Sequence, residues 1–420
     1  MGDAPLPQEH LVVILPFDEP AALINDIRES FPHIRVSYFR QQRETQVHGA
    51  VPKDLLNSAT ILCMLHYAPI LEDIPNVKFV HIVSAGMDRY LSHPLLTDTD
   101  IDLTTTSGIH GPPTAEWVVM NWLVSSKMYD QTSEWQRKHI WTHNQSLMDK
   151  MEDNVGKRVG ILGYGSIGRQ VARVSVAMGM QVLAFTFFPR TTPESRRDNG
   201  YIVPNTGDPD GSLPVSWHSG SDKAALHAFL SQNLDYLLVS VPLTPSTEYL
   251  IGAEEIALLS KSCTRTTRRP FLTNISRGMV IDQDALLESL KSGELGGAAI
   301  DVTEPEPLPA DHPLWDAPNL HISPHISSLG IEYLQRALDV LKVNLDRLEK
   351  AATPVMLARK QSQLYPTGLS GISEKGSPNN ETFQYQNDYH NDRPRSLAKE
   401  NQNRRLKVDV NEHKKNGKTP

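Results

Sequence analysis

Between Leu11 and Lys350 short apolar, β-prone runs alternate with stretches of helical spacing or turn-like polarity. Leu11 to Leu15 is the first run, and Pro20 to Ser30 follows with Ala22, Leu23 and Ile27 on one side of a helix. Runs at Arg35 to Tyr38, Ile61 to Met64, Phe79 to Val83 and Leu103 to Thr105 predict further strands. Alternation of this kind indicates a parallel sheet covered by helices, hence a first α/β domain. Ile109 to Lys127 opens with Pro112 and Pro113, which suit a helix entry, and becomes a long apolar helix. It reads as an interdomain hinge.

A second set of runs is organised around Arg158 to Ala172, R-V-G-I-L-G-Y-G-S-I-G-R-Q-V-A. Val159, Ile161 and Leu162 form a buried strand, and Ile167, Val171 and Val174 continue with helical spacing. Between them Gly163 permits a tight turn, Gly165 clears the approach of a pyrophosphate, and Gly168 lets helix and strand pack closely. Free amides and the positive end of the helix dipole then face the phosphates. Gln181 to Phe185, Tyr236 to Val241, Phe271 to Ile275, Gly297 to Asp301 and Leu320 to Ser323 extend this sheet in both directions. Pro204 to Pro214 is rich in turn residues and reads as a surface excursion. Ile326 to Lys350 predicts a long helix with Leu334, Leu338, Leu341 and Leu345 on one face, returning to the first domain. From residue 358 to 420 the composition turns polar with almost no apolar clusters, which predicts a disordered tail.

Composition narrows the class. A hydrophobic share of 39% and a charged share of 21% are those of a globular protein. The net charge of −8 disfavours nucleic acid or an anionic membrane as partner. Cys63 and Cys263 lie far apart and fit no metal or disulfide spacing, so no metal is expected and a reducing compartment is. No secretory signal and no bilayer-spanning run is recognisable, which makes the cytoplasm the expected location.

Candidate chemistry collects at strand ends. In V-S-A-G-M-D-R the small residues Ser84, Ala85 and Gly86 leave amides uncovered after a strand, where open parallel sheets gather ligands, although an ordinary loop has the same look. Arg277, Glu306 and His325 follow three predicted strands of the second sheet, whose carboxyl ends converge on one crevice. Singly, each has a plain alternative: a surface ion pair, a solvated acid and a helix cap. Together they suit hydride transfer to a ketone. A guanidinium holds a carboxylate bidentately and polarises the adjacent carbonyl, an imidazolium protonates its oxygen, and a neighbouring carboxylate raises the imidazole pKa.

These motifs, G-Y-G-S-I-G, V-P-L-T-P-S-T from Val241, N-I-S-R-G-M-V-I-D, G-A-A-I-D-V-T-E-P-E-P-L-P and S-P-H-I-S-S, stand in one order over Leu11 to Lys350. The chain so resembles the D-isomer-specific 2-hydroxyacid dehydrogenase family, whose members reduce 2-oxo acids with NADH or NADPH. The resemblance implies an α/β architecture of two Rossmann-like doubly wound domains, with the nucleotide-binding one inserted into the substrate domain. Residues 1–112 would begin the substrate domain, 113–324 would bind the dinucleotide, and 325–357 would return to the substrate domain. It further implies that Arg277 binds substrate, His325 is the acid/base and Glu306 supports it, with Glu304 a bystander. Ala85 and Gly86 would hold the substrate carboxylate. Ser166, Ile167, Val241, Ile275, Asp301 and Ser327 would line the cofactor site with the three glycines.

The chain departs from the family pattern in three places. Thr186 stands where an acid ordinarily holds the adenosine ribose diol, and Arg190, Arg196 and Arg197 follow soon after; NADP(H) is therefore expected in preference to NAD(H), which stays possible. The basic run Thr264 to Pro270 is expected to disturb the approach to the next strand. Beyond Lys350 the first domain is expected to lack its last strand. A homodimer is expected, with Trp135 and Trp141 packing at the junction or at the partner chain. Alternatives are a nucleotide-sensing, corepressor-like protein of the same fold and a defective paralogue. The side chains leave glyoxylate, hydroxypyruvate and bulkier 2-oxo acids all open as substrates.

Overall fold

The computed structural model describes residues 9–41, 51–87, 90–142, 145–264 and 268–357. The expected polar tail lies outside these residues. Within them the chain builds two parallel sheets. The first comprises β1 (His10–Leu15), α1 (Ala21–Ser30), β2 (Arg35–Arg40), α2 (Lys53–Ser58), β3 (Ile61–Met64), β4 (Phe79–Ile82), α3 (Pro94–Thr97) and β5 (Asp102–Thr105), with strand order β2-β1-β3-β4-β5. Every residue of β1 is buried, as expected of a central parallel strand covered on both faces. Its residues alternate: Leu11, Val13 and Leu15 join Ile24 and Ile27 on one face, while Val12 and Ile14 join Leu56, Leu62 and Tyr90 on the other.

The second unit runs through α4 (Gly111–Ser126), α5 (Tyr129–Arg137), α6 (Gln145–Met148), β6 (Arg158–Leu162), α7 (Ser166–Ala177), β7 (Gln181–Thr186), α8 (Pro193–Arg196), β8 (Ser216–Ser219), α9 (Lys223–Leu230), β9 (Tyr236–Val239), α10 (Ala253–Ser262), β10 (Phe271–Asn274), α11 (Gln283–Lys291), β11 (Gly297–Ile300) and β12 (Leu320–Ile322). Its order is β12-β11-β10-β9-β6-β7-β8, so the chain winds outward from β6 in both directions and reverses between β6 and β9. The last helix, α12 (Tyr333–Glu349), packs Ala337, Leu338, Leu341 and Leu345 onto the first sheet's Ile24 and Ile27 face. The second unit is thereby inserted into the first.

Four expectations are revised. The helix expected from Ile326 starts only at Tyr333, because the preceding residues are spent in turns anchored to Asp301. The excursion from Pro204 to Pro214 is pinned inward by Asp208, 3% exposed, whose carboxylate accepts the Tyr164 hydroxyl at 2.8 Å and the amides of Ser212 and Leu213. After the basic run, of which 265–267 lie outside the described residues, β10 stays in register with β9 and β11. Arg268 there donates to the Ser125 carbonyl, 2.8 Å away in the last turn of α4, where a cation suits the helix dipole. Finally, Leu357 pairs antiparallel with Thr104, and Thr105 donates to the Met356 carbonyl at 3.1 Å, so the first sheet does receive a short last piece.

Candidate active site

The glycine turn lies at the carboxyl end of β6, at the reversal point of the sheet. Gly163 has φ +100°, and a Cβ there would stand 2.6 Å from the Ser240 carbonyl oxygen; a Cβ on Gly168 would stand 2.5 Å from the Gly163 oxygen. Both positions are closed to side chains by the protein itself. Gly165 differs: its backbone is extended, and a Cβ would meet nothing within 4 Å. Nothing among the described residues requires glycine there, so the open space fits a ligand that approaches the backbone. The Ser166 end of α7 has no side-chain cap, which leaves the amides of Ser166 and Ile167 available for an anion. Ser240 fastens the turn by donating its hydroxyl to the Gly163 carbonyl at 2.7 Å.

At the carboxyl ends of β10, β11 and β12 the three reactive side chains come together. His325 Nδ1 lies 2.9 Å from Glu306 Oε1, both side chains being partly open to solvent. The hydrogen bond that Nδ1 donates to Glu306 raises the imidazole pKa above its ordinary value, against the opposing effects of burial and of the nearby Arg277 guanidinium. Arg277 is half-buried, and its Nη1 donates to the Ser276 carbonyl at 2.7 Å. Glu304 is exposed, with its amide bonded to Gln283 rather than its carboxylate to His325.

His325 has φ +54°, a left-handed conformation that a histidine adopts only under constraint. Asp301 supplies the constraint. It is 1% exposed, its Oδ1 accepts the Ser323 hydroxyl and the Ile326 amide, its Oδ2 accepts the Ser327 amide, and its carbonyl accepts the His325 amide at 2.8 Å. Ser327 is accordingly buried beside it. Val241 and Ile275 stand just past β9 and β10, on the crevice side, with the Ile275 amide bonded to the Val239 carbonyl.

The Ser84 to Gly86 loop follows β4 in the other sheet, Ala85 being exposed and the Ser84 hydroxyl closing the loop onto the Gly86 carbonyl at 3.0 Å. Tyr333 ties this loop to the His325 segment by donating its hydroxyl to the Val83 carbonyl at 3.3 Å.

The model for the NAD-binding domain of D-isomer-specific 2-hydroxyacid dehydrogenases matches residues 119–204 and 214–327. The chain is 29% identical over 318 residues to a glyoxylate reductase of Thermofilum pendens, covering 74% of this chain and 84% of that one. It also matches the crystal structure of a D-isomer-specific 2-hydroxyacid dehydrogenase family protein of Aeromonas salmonicida, at 25% identity and a TM-score of 0.66, over 84% of this chain and all of that one. The chain is similar to the D-isomer-specific 2-hydroxyacid dehydrogenase family. It is an NAD(P)-dependent oxidoreductase acting between 2-oxo and 2-hydroxy acids. A further structural likeness, at 24% identity and a TM-score of 0.61 over 84% of this chain and 98% of that one, is to an NADPH-dependent glyoxylate/hydroxypyruvate reductase of Sinorhizobium meliloti solved with NADP and sulfate.

From the sequence the adenosine is expected at the end of β7, where Thr186 stands. Thr186 turns its hydroxyl onto the Phe188 carbonyl at 2.8 Å. Beyond it an open groove of about 250 Å³ is lined by Arg190, Arg196, Trp217, His218 and Ser219 among others. Arg190 donates to the Ser195 carbonyl at 2.5 Å, and Arg196 lies 5.7 Å over the Trp217 ring. Arg197 points elsewhere, 3.6 Å from Asp210, and does not line the groove. Sequence reasoning missed Trp217, His218 and Ser219 because β8, S-W-H-S, is short and polar; the parallel pairing of Thr186 with Ser219 is what brings them there.

Proposed function

We propose that the protein reduces a small 2-oxo acid to the D-2-hydroxy acid with NADPH, using His325 as the acid. The observation that carries this reading is the Glu306–His325–Arg277 constellation, held by Asp301 on the same side of the sheet as the glycine turn. The first sheet, as substrate domain, would hold the substrate carboxylate on the amides of Ala85 and Gly86. Gly163, Gly165, Ser166, Ile167 and Gly168 would hold the pyrophosphate, with Val241, Ile275, Asp301 and Ser327 toward the nicotinamide. The bound dinucleotide supplies the hydride. Arg277 orients the oxo acid and draws electron density onto its carbonyl oxygen. His325, kept protonated by Glu306, delivers a proton to that oxygen from Nε2, since Nδ1 is committed to Glu306.

NADPH is favoured because no acid stands at Thr186 to repel a 2′-phosphate, while Arg190 and Arg196 line the groove beside it. The exposed apolar residues Met120 and Leu123 on α4, with Tyr129 and the 98% exposed Trp141 after it, support a homodimer. Cys63 and Cys263, both buried and in no disulfide, support a reducing compartment such as the cytoplasm.

The test is cofactor oxidation by the purified chain on a panel of 2-oxo acids with each reduced cofactor. His325→Ala should lower turnover about a hundredfold or more. Turnover of none of the acids by the folded chain, or unchanged kinetics in His325→Ala and Arg277→Ala, overturns the proposal.

A further inference from the structure

The entry to α4 carries a polar stripe that the scheme above leaves unused. His110 caps the helix and Thr114 follows one turn later, so their side chains lie on one face. His110 is 6% and Thr114 1% exposed, and both Nδ1 of His110 and Oγ1 of Thr114 are sealed from solvent without a hydrogen-bond partner among the described residues. Burial pushes the imidazole pKa down to about 4, so the ring is neutral near pH 7 and acts as a hydrogen-bonding group rather than a charge. Buried polar atoms are nearly always paired, since leaving one unpaired costs stability. An unpaired pair on one helix face calls for a partner that arrives later.

The place of the stripe says which partner. Helix α4 runs antiparallel to the strands of the second sheet: Trp122 donates from Nε1 to the Thr273 hydroxyl of β10 at 2.9 Å, and Ser125 meets Arg268 before that strand begins. Going back from Trp122 to Thr114 climbs about 12 Å of helix. That equals three to four strand residues at about 3.3 Å each, which reaches the level of Ser276 and Arg277. His110 stands one turn further along, past that level toward the carboxyl ends of the strands. On one flank a Cβ on Gly111 would lie 3.2 Å from the Ser166 carbonyl oxygen, beside the pyrophosphate turn. On the other flank the His110 ring meets Tyr333 edge-on at 5.2 Å, and Tyr333 is bonded to Val83 at the root of the Ser84 to Gly86 loop.

We propose that His110 is a substrate-binding residue that donates from Nδ1 to the carboxylate end of the 2-oxo acid when the two domains close on it. The proposal rests on the oxo acid reductase reading. It gives the substrate a neutral contact from the hinge helix, set between the carboxylate loop and Arg277.

The experiment titrates the full-length chain, saturated with NADP+, with oxamate, an unreactive isostere of a 2-oxo acid, by calorimetry. Steady-state kinetics on the best 2-oxo acid of the panel accompany it. His110→Ala should weaken oxamate binding and raise the KM for the oxo acid by about tenfold, the loss of one good hydrogen bond, with the KM for NADPH unchanged. His110→Asn, whose amide nitrogen falls near the Nδ1 position, should recover most of the loss, and His110→Gln should not. A wild-type enzyme that binds oxamate and turns over while His110→Ala matches it overturns this proposal alone. So does equal behaviour of the Asn and Gln variants, which are compared even where the Ala variant fails to fold. A folded wild-type chain that neither binds oxamate nor oxidises NADPH overturns both this proposal and the reading beneath it.

Discussion

Glu306 Oε1 lies 2.9 Å from Nδ1 of His325, which leaves the outer nitrogen of the ring, Nε2, as the one that would meet substrate in the proposed reaction. Because Glu306 raises the histidine pKa, the ring stays protonated above the ordinary value of 6.5. Oxo acid reduction needs that proton, so its rate should hold past 6.5 and fall as pH rises through the raised pKa. Hydroxy acid oxidation needs the neutral ring and should rise over the same interval.

Glu306→Gln removes the carboxylate and leaves burial and Arg277, which lower the pKa, against the smaller raising effect of Asp301. The alkaline limb of the reduction profile should then move to lower pH, and kcat/KM at pH 7.5 should fall by about tenfold or more. A profile that keeps its limb would show that Glu306 does not set the titration of His325.

Asp301 is spent on backbone geometry. Asp301→Asn turns one carboxylate oxygen into a donor facing an amide N–H, within a buried site that holds His325 in its left-handed conformation. A loss of about 2 kcal/mol in urea unfolding is expected, with a drop in kcat larger than any change in the KM for cofactor. Wild-type stability with wild-type kcat would contradict this role.

Cofactor choice should divide the three arginines. Arg190→Ala and Arg196→Ala remove the charges lining the groove beside Thr186, and each should raise the KM for NADPH about tenfold while leaving NADH nearly unaffected. Arg197→Ala should change neither, since that guanidinium faces Asp210. Comparing kcat/KM for both cofactors in the three variants decides it, and a wild-type preference for NADH would refute the NADPH assignment.

The excursion between β7 and β8 is held by Tyr164, whose hydroxyl donates to the buried Asp208 carboxylate. Tyr164→Phe should cost about 2 kcal/mol, the range for a hydrogen bond to a charged group, measured by urea unfolding. A change within a few tenths would mean that the loop is held without Tyr164, by the Ser212 and Leu213 amides on Asp208 and by Arg169, which donates to the Asp208 carbonyl.

The apolar runs and their spacing were enough, by themselves, to mark eleven of the twelve strands among the described residues, because parallel strands buried on both faces leave continuous hydrophobic stretches in the chain; the inserted arrangement came from the family resemblance. The strand–glycine–helix pattern likewise marked the turn at Gly163 to Gly168, since the demand for glycine is local backbone geometry. Strand β8 escaped notice because two serines, a histidine and a single tryptophan at a sheet edge bury too little to leave a pattern. Tertiary structure alone decided the rest. It set Asp301 under the His325 loop, turned Arg197 away from the groove that Arg190 and Arg196 line, carried Leu357 back to Thr104, and left Nδ1 of His110 without a hydrogen-bond partner among the described residues. Each of these depends on which residues distant in the chain share one place, and on the direction in which their side chains point there. Neither is encoded in local spacing, because a hydrogen bond or an ion pair forms wherever the packed core happens to bring its partners together.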